Sequence, residues 1–239
     1  MAKRQPPKRN LAKRNLRAPF HQYNAWVFDL DNTLYPEECD LFAQIDVRMG
    51  EFLTNLLDVD LEEARLVQKK YYHEHGTTLT GLMLNNGIDP HDFLEHVHDI
   101  DVSVVPPSPE LSDFLGHLPG RKFVYTNGSD KHARNVMGQL GVDHHFDGIF
   151  DITAADYQPK PARSAFDTFL ERFDIEPMRA VMVEDLPQNL QPAHDLGMTT
   201  VLIRTDRVKD RHGATDESQD HIHHVEDDLL TWLRDIFES

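Results

Sequence analysis

The chain has 239 residues, 39% of them hydrophobic and 27% charged, and its 24 basic and 41 acidic residues give a formal net charge of −17. This length accommodates one large α/β domain, alone or with a small insert. We do not expect so acidic a chain to bind nucleic acid by general phosphate neutralisation. The single cysteine, Cys39, excludes an internal disulfide framework and a cysteine-cluster zinc site. No apolar run approaches the about 20 residues of a membrane span, so we expect a cytoplasmic protein without a membrane partner.

The basic residues are concentrated at the N-terminus. Residues 1–17 contain seven Lys and Arg and no acidic residue, which leaves 17 basic and 41 acidic residues and a net charge of −24 for the remainder. Because this segment is poor in apolar residues, we predict a disordered basic tail over residues 1–19. We favour a solvated extension or an over-long translation start over an arm that contacts RNA or an anionic surface.

The first buried strand is predicted at residues 25–28, a short apolar run without helical period. Residues 36–105 contain no comparable run and show start signals for about four short helices. The signals are Pro36-Glu37-Glu38, Asp60 with Glu63, and Asp89-Pro90. The apolar residues at helical spacing are Leu41, Ile45, Met49, Phe52, Leu53 and Leu56. We therefore predict a helical domain at 36–105, inserted after the first strand, with a Pro-rich hinge at 106–109.

The rest of the chain alternates between apolar runs and amphipathic stretches. The further predicted strands are 122–125, 180–183 and 200–203. The amphipathic stretches between them lie near 130–140, 162–173 and 188–196. This alternation predicts an α/β fold, a Rossmann-like doubly wound parallel sheet, formed by a core domain of residues 20–35 and 106–239.

Polar residues whose side chains can take part in catalysis or ligand binding follow three of the predicted strands or lie in a loop just before a predicted helix. Because ligands bind at the carboxyl ends of parallel strands, we expect these residues to converge at one edge of the sheet. They are Asp29, Asp31, Thr126, Asn127, Lys160, Glu184 and Asp185.

This set of side chains suits phosphoryl transfer through a covalent aspartyl phosphate. One carboxylate can be the nucleophile, and several carboxylates suit Mg²⁺, which would offset the repulsion between nucleophile and phosphate. A lysine adds positive charge, and a Thr hydroxyl followed by backbone N–H groups can hold phosphate oxygens. A second carboxylate can protonate the leaving alcohol and then activate water.

The four groups, in this order, resemble the loop motifs of the haloacid dehalogenase superfamily of phosphohydrolases. The first motif is Asp29-Leu30-Asp31-Asn32-Thr33. The resemblance implies that Asp29 is the nucleophile and a metal ligand. It implies that Asp31 is the general acid and base and binds the metal through its backbone carbonyl.

The same resemblance assigns the other residues. Thr126 and the amide of Asn127 would bind the phosphate, and Lys160 would stabilise nucleophile and phosphate. Asp185 would bind Mg²⁺ directly, with Glu184 as a further ligand. Asn189 would be a supporting polar residue.

An acid at the Asp31 position bears on the reaction class. Halide-displacing and phosphonate-cleaving members resemble this sequence but lack that acid. Asp31 therefore favours phosphate-ester hydrolysis or phosphomutase chemistry.

The helical insert corresponds to the first cap type of the superfamily, which closes over the site and selects the substrate. A narrower resemblance to the pyrimidine 5′-nucleotidase subfamily rests on three segments. They are Asp29-Leu30-Asp31-Asn32-Thr33-Leu34-Tyr35-Pro36, Tyr71-Tyr72 with Gly76-Thr77-Thr78-Leu79, and His98-Asp99-Ile100-Asp101. The implied substrate is a small phosphorylated metabolite, a nucleoside monophosphate such as UMP or CMP.

Other interpretations stay open at this point. The enzyme alternatives are a sugar-phosphate phosphatase and a phosphomutase, and the non-enzymatic one is a nucleic-acid-associated protein that uses the basic arm. The histidines close in sequence are interpreted as solvated rather than as a zinc site; they are His73, His75, His96, His98, His221, His223 and His224. Tyr71, Tyr72 and Met83 suit either a core or a substrate pocket.

Overall fold

The computed structural model describes residues 16–17, 20–205 and 220–237. In this part of the chain a parallel sheet of six strands has the order β3-β2-β1-β4-β5-β6. The strands are β1 Ala25–Phe28, β2 Arg121–Tyr125, β3 Gly148–Phe150, β4 Ala180–Glu184, β5 Thr199–Ile203 and β6 His224–Glu226. The predicted α/β fold with a doubly wound parallel sheet is confirmed.

Helices alternate with these strands. Within the described ranges they are α1 Leu41–Leu57, α2 Leu61–His75, α3 Thr78–Asn86, α4 Pro90–Val97, α5 Pro109–His117, α6 Asp130–Leu140, α7 Arg163–Phe173, α8 Pro187–Asp195 and α9 Leu229–Ile236. Helices α1 to α4 all lie between β1 and β2, so the segment predicted as helical is helical. The domain boundaries themselves remain a prediction.

The central strand β1 is buried on both faces, as a strand between two helical layers must be. Trp26 and Phe28 pack into the hydrophobic cluster on one face, and Ala25 and Val27 into the cluster on the other. Because β2 and β4 pair with β1 on either side, the carboxyl ends of these three strands meet in the middle of one sheet edge.

Helices α1 to α4 surround a hydrophobic cluster of their own. Its buried residues include Ile45, Leu53, Phe93 and Val97, and Ile152 joins it from the chain that follows β3. The insert is therefore packed internally and also contacts the sheet domain.

The start signals within the insert had different outcomes. The side chain of Asp60 accepts hydrogen bonds from the backbone N–H groups of Glu62 and Glu63, and that of Asp89 caps α4 by accepting from the N–H of His91. The signal at Pro36 produces only a 3₁₀ turn, Glu37–Cys39. Asp40 ends this turn with a left-handed φ of 56°, so α1 begins one residue later.

Of the predicted tail, Leu16 is packed against the sheet domain, and the exposed Arg17 is held by its backbone. Leu16 is buried and forms an antiparallel bridge with Phe237, and the N–H of Arg17 donates to the carbonyl of Ile236 at 2.8 Å. Leu16 packs there because it joins the apolar cluster that includes residues of α9. The other residues of that prediction, 1–15, 18 and 19, lie outside the described residues.

In the described part of the chain, no helix is both long enough and apolar enough to cross a membrane.

Gly120 lies in the turn before β2 and is packed tightly against the chain that enters β1. Its φ is 78°, and an added β-carbon would overlap the backbone oxygen of Asn24, which accepts the hydrogen bond from Arg121 that aligns β2 with β1. Gly141 after α6 has a similar φ of 76°, but among the described residues no atom lies within 4 Å of an added β-carbon.

We expect Gly120→Ala to lower the free energy of unfolding by about 3 kcal/mol or more, because strain and overlap combine. Gly141→Ala should cost only about 1 kcal/mol, the cost of the left-handed backbone alone. Urea denaturation of both variants measures the difference. Equal losses would contradict the proposed overlap with Asn24.

Candidate active site

The predicted site residues follow the three central strands. Asp29 comes directly after β1, Thr126 directly after β2, and Glu184 is the last residue of β4. Lys160 lies in the loop before α7 and reaches the same edge. The sheet therefore gathers side chains that are up to 155 residues apart, from Asp29 to Glu184, at the carboxyl ends where ligands bind.

Lys160 is the centre of a buried hydrogen-bond network. Its Nζ lies 2.6 Å from Oδ1 of Asp29, 2.6 Å from Oε2 of Glu184 and 2.9 Å from the carbonyl oxygen of Tyr125. These three acceptors use all the N–H donors of an ammonium group. Since the residue is only 2% exposed, its charge is held by these partners rather than by water.

The carboxylates of this network carry more negative charge than one lysine offsets. Burial and the neighbouring Glu184 raise the pKa of Asp29 to about 7, although Lys160 opposes the shift. Burial, Glu184 and Asp29 raise the pKa of Asp185 well above its usual range. For Lys160 burial alone would lower the pKa, but Asp29 and Glu184 outweigh it and raise the pKa. The site therefore favours an additional cation or bound protons.

Three of these carboxylates could share a metal ion. The oxygens of Asp29, Glu184 and Asp185 lie within 4.8 Å of one another, and within the described residues this is the one group of three or more that could ligate a metal. Such an all-oxygen set fits a hard cation such as Mg²⁺. The carboxylate of Asp31 is not in this group. The metal contact expected of its backbone carbonyl remains a prediction.

Glu184 is engaged on both carboxylate oxygens. Oε2 receives Lys160, and Oε1 accepts from the backbone N–H groups of Asp185 and Leu186, each at 3.2 Å. The residue thereby fixes the start of the loop that carries Asp185.

Asp31 lies two residues beyond Asp29 and has different partners. Its Oδ1 accepts hydrogen bonds from the hydroxyl of Tyr35 at 2.7 Å and from Nε2 of His132 at 2.8 Å. Burial alone would raise the pKa of Asp31, but the interaction with His132 outweighs it and the pKa is lowered. The turn after β1 places Asn32 at a φ of 63°, which Asn accepts more readily than most residues.

The residues predicted to bind phosphate lie beside this cluster. Thr126 is buried, and its Oγ1 accepts from the N–H of Gly128 at 2.9 Å. The side chain of Asn127 pairs with the backbone of Lys160: its Oδ1 accepts from that N–H at 2.8 Å, and its Nδ2 donates to that carbonyl at 3.3 Å. The side chain thus holds the Lys160 loop, and phosphate binding by the backbone amide of Asn127 remains a prediction. Asn189 is buried in α8.

Two histidines of the site were not predicted. His132 lies in the first turn of α6 and is buried, and its ring stacks on that of His98 with centroids 4.4 Å apart and planes 9° apart. The interpretation of His98 and His221 as solvated is wrong: His98 is half-buried in this stack, and His221 is buried with Nε2 2.8 Å from the carbonyl of Pro187. The position of His132, three residues after the Ser129 cap of α6, is a signal that could have identified it.

For two of the cap residues left open, the structure favours a core role. Tyr71 and Met83 pack against the hydrophobic cluster of the insert, and the hydroxyl of Tyr71 donates to Asn86 at 3.0 Å.

The chain is similar in sequence to known proteins. A family model of haloacid dehalogenase-like hydrolases matches residues 23–197. The chain is 28% identical over 195 residues to Phosphate metabolism protein 8 of Saccharomyces cerevisiae. The matched segment covers 74% of this chain but only 60% of that protein. It is 27% identical over 203 residues to Glyceraldehyde 3-phosphate phosphatase of Methanocaldococcus jannaschii, covering 77% of this chain and 86% of that protein.

The fold is also similar to that of solved structures. The crystal structure of a HAD phosphatase from Thermococcus onnurineus superposes with a TM-score of 0.60 and 21% identity, over 89% of this chain and 97% of that one. The family model covers well over half of the chain, and its match includes every predicted site residue. The chain therefore belongs to the haloacid dehalogenase-like hydrolases.

Proposed function

We propose that this protein is a Mg²⁺-dependent phosphatase that hydrolyses small phosphate monoesters through an aspartyl phosphate on Asp29, with pyrimidine nucleoside monophosphates as substrates. The observation that carries the proposal is the buried cluster in which Lys160 bridges Asp29 and Glu184 at 2.6 Å each, beside Asp185. A carboxylate held in this way is oriented and partly neutralised, as a nucleophile for an anionic phosphate must be.

In the first step, an oxygen of Asp29 attacks the phosphorus atom. The bond from phosphorus to the ester oxygen breaks, and the protonated carboxyl of Asp31 gives its proton to the leaving alcohol. Thr126 and the N–H groups of its loop bind the phosphate oxygens, and Lys160 keeps Asp29 in position.

In the second step, the carboxylate of Asp31 takes a proton from a water molecule. The oxygen of that water forms a bond to phosphorus, and the bond to Asp29 breaks, which releases inorganic phosphate and regenerates both residues. The lowered pKa of Asp31 favours the ionised form that takes this proton, and the proton that Asp31 gains from water is the one that it gives to the leaving alcohol in the next turnover.

Asp29, Glu184 and Asp185 are the residues that would hold Mg²⁺, with the backbone carbonyl of Asp31. When bound, the cation supplies charge that offsets the repulsion between these carboxylates and the phosphate.

The substrate class rests on sequence resemblance and has one alternative with its own support. The nucleotidase proposal comes from the three segments of the narrower resemblance, one of which contains His98 at the contact between insert and sheet domain. The archaeal relative is named for glyceraldehyde 3-phosphate, which supports a sugar-type phosphate instead.

A phosphate-release screen with the purified full chain tests the proposal. We expect release from UMP and CMP with Mg²⁺, its fall to background with EDTA, and its recovery with excess Mg²⁺. Faster release from glyceraldehyde 3-phosphate would favour the sugar-type substrate, and transfer of phosphate between positions of one sugar would indicate a mutase. No release from any ester, including p-nitrophenyl phosphate, would contradict the phosphatase proposal.

A further inference from the structure

The stacked histidines connect the helical insert to Asp31. His132 lies on α6 and contacts Asp31 directly, while His98 follows α4 of the insert and places Nδ1 3.0 Å from Oγ of Ser129. Both rings also lie against the loop after β2 that contains Thr126 and Gly128. A β-carbon added to Gly128 would lie 3.3 Å from the ring of His132 and 3.6 Å from Nε2 of His98.

The contact between His132 and Asp31 has a defined direction. An ionised carboxylate only accepts hydrogen bonds, so Nε2 of His132 carries the proton and donates to Oδ1. The hydroxyl of Tyr35 donates to the same oxygen. Two donors on one oxygen restrict both side-chain torsions of Asp31, and this fixes where its other oxygen points.

The His132 ring is buried and stacked on the ring of His98. Its Nδ1 is buried and has no hydrogen-bond partner in the described part of the chain, so no second hydrogen bond fixes the ring. A metal-bound or catalytic imidazole is ordinarily oriented through its other nitrogen. The face-to-face contact with His98, with planes 9° apart, is a contact that can align the ring in place of that second hydrogen bond.

The loop that presents His98 is held firmly to the insert. Gln44 of α1 makes two 3.0 Å hydrogen bonds to the backbone of Asp101, and Arg48 donates to the carbonyl of His96 at 3.1 Å. Across the contact with the sheet domain, Lys131 of α6 forms an ion pair with Glu95 at 2.5 Å. The position of His98 therefore follows the position of the whole insert.

We propose that His132, together with Tyr35, positions Asp31, and that His98 completes this arrangement only when the insert is seated on the sheet domain. The inference rests on the proposed phosphatase function and adds to it a route by which the insert controls proton transfer. In the step concerned, the O–H bond of Asp31 breaks and its proton goes to the ester oxygen as the bond from phosphorus to that oxygen breaks.

The dependence of the rate on the leaving group separates positioning from general damage. Phenyl phosphate and p-nitrophenyl phosphate have nearly the same shape, but nitrophenol is a much stronger acid and leaves without a proton. For each ester, kcat/KM reports the steps up to departure of the leaving group. The ratio of the two kcat/KM values is therefore unaffected by the later hydrolysis of the aspartyl phosphate. A misplaced acid slows phenyl phosphate selectively, whereas a damaged site slows both esters equally.

We expect His132→Ala to lower kcat/KM for phenyl phosphate about 100-fold and for p-nitrophenyl phosphate less than about tenfold, since general acid catalysis contributes factors of this size. Asp31→Asn should show the same selectivity more strongly. His132→Gln, whose amide can donate near the Nε2 position, should recover part of the loss. His98→Ala should shift the ratio in the same direction by a smaller factor. His91→Ala, an exposed histidine of α4 of the insert, should not shift it.

Melting temperatures of all variants establish that each is folded. Equal losses on both esters in His132→Ala, or no loss, would overturn the positioning role, and an unshifted ratio in His98→Ala would overturn the role of the insert. If the unmodified protein hydrolyses neither ester with Mg²⁺, the proposed function fails, and the inference fails with it.

Discussion

Replacement of Asp29 by Asn should abolish turnover while the protein stays folded. An amide cannot form the acyl phosphate, so we expect kcat/KM for p-nitrophenyl phosphate to fall by at least about 1,000-fold, as for other covalent nucleophiles. The Asn oxygen can still accept the hydrogen bond that Lys160 donates to Oδ1. Asp195→Asn, exposed at the end of α8, is the matched control and should retain full activity.

The negative charge of Asp29 is unfavourable for folding when no metal is bound. Asp29→Asn removes this charge, so we expect that variant to remain stable. The pKa of Asp29 is raised from 3.8 to about 7, so the folded protein binds a proton that the unfolded chain has already lost. Stability from this group is present at low pH and declines as pH rises from about 4 to about 7. Asn carries no charge, so at neutral pH we expect a melting temperature close to or above that of the unmodified protein in EDTA.

Trapping of the phosphorylated protein is a second, independent test of Asp29 as the nucleophile. Acid-quenched unmodified protein, mixed with labelled substrate, should carry phosphoryl label on the peptide that contains Asp29, and the Asn variant should carry none. Normal hydrolysis by a folded Asn variant would refute the nucleophile assignment.

The parts of the fold that could be predicted are those where the local residue pattern is compatible with only one local structure. The run 25–28 is apolar at every position, so it must be buried on both faces, and this defines the centre of the sheet. Strands β3 and β6 were not predicted because each has only three residues at a sheet edge, too few to show a period. The start of α1 was missed because the left-handed Asp40 depends on packing, not on a local signal.

The same distinction applies to the candidate site. Asp29, Lys160 and Glu184 could be placed together because strand ends converge by topology. The contact between His98 and His132 could not, because it depends on how the insert packs against α6, and no periodicity encodes that. The direction of the Asn127 side chain, toward the backbone of Lys160, is likewise a tertiary detail.

Replacement of Lys160 by Met should both inactivate and strongly destabilise the protein. Lys160 is the charged partner of two buried carboxylates, Asp29 and Glu184, and Asp185 lies close to both. Removal of one partner of a buried ion pair leaves uncompensated charge, which typically costs about 3–5 kcal/mol. Urea denaturation in EDTA at neutral pH measures this loss, and phosphate release with Mg²⁺ measures the inactivation.

Lys131→Met is the matched control for the loss of an ion pair. Lys131 pairs with Glu95 at 2.5 Å, but both side chains are exposed, and an ion pair in solvent contributes little to stability. A comparable loss in both variants would show that the buried charges around Lys160 do not determine its effect.

A double variant identifies the cause of the destabilisation. If the loss in Lys160→Met comes from unpaired carboxylate charge, then Glu184→Gln in the same chain should recover part of it, because one of the unpaired charges is gone. Glu184→Gln alone should destabilise, because both oxygens of Glu184 accept hydrogen bonds, from Lys160 and from the N–H groups of Asp185 and Leu186, and an amide has only one oxygen. The two changes must therefore be less than additive, and additive losses would refute the charge-compensation role of Lys160.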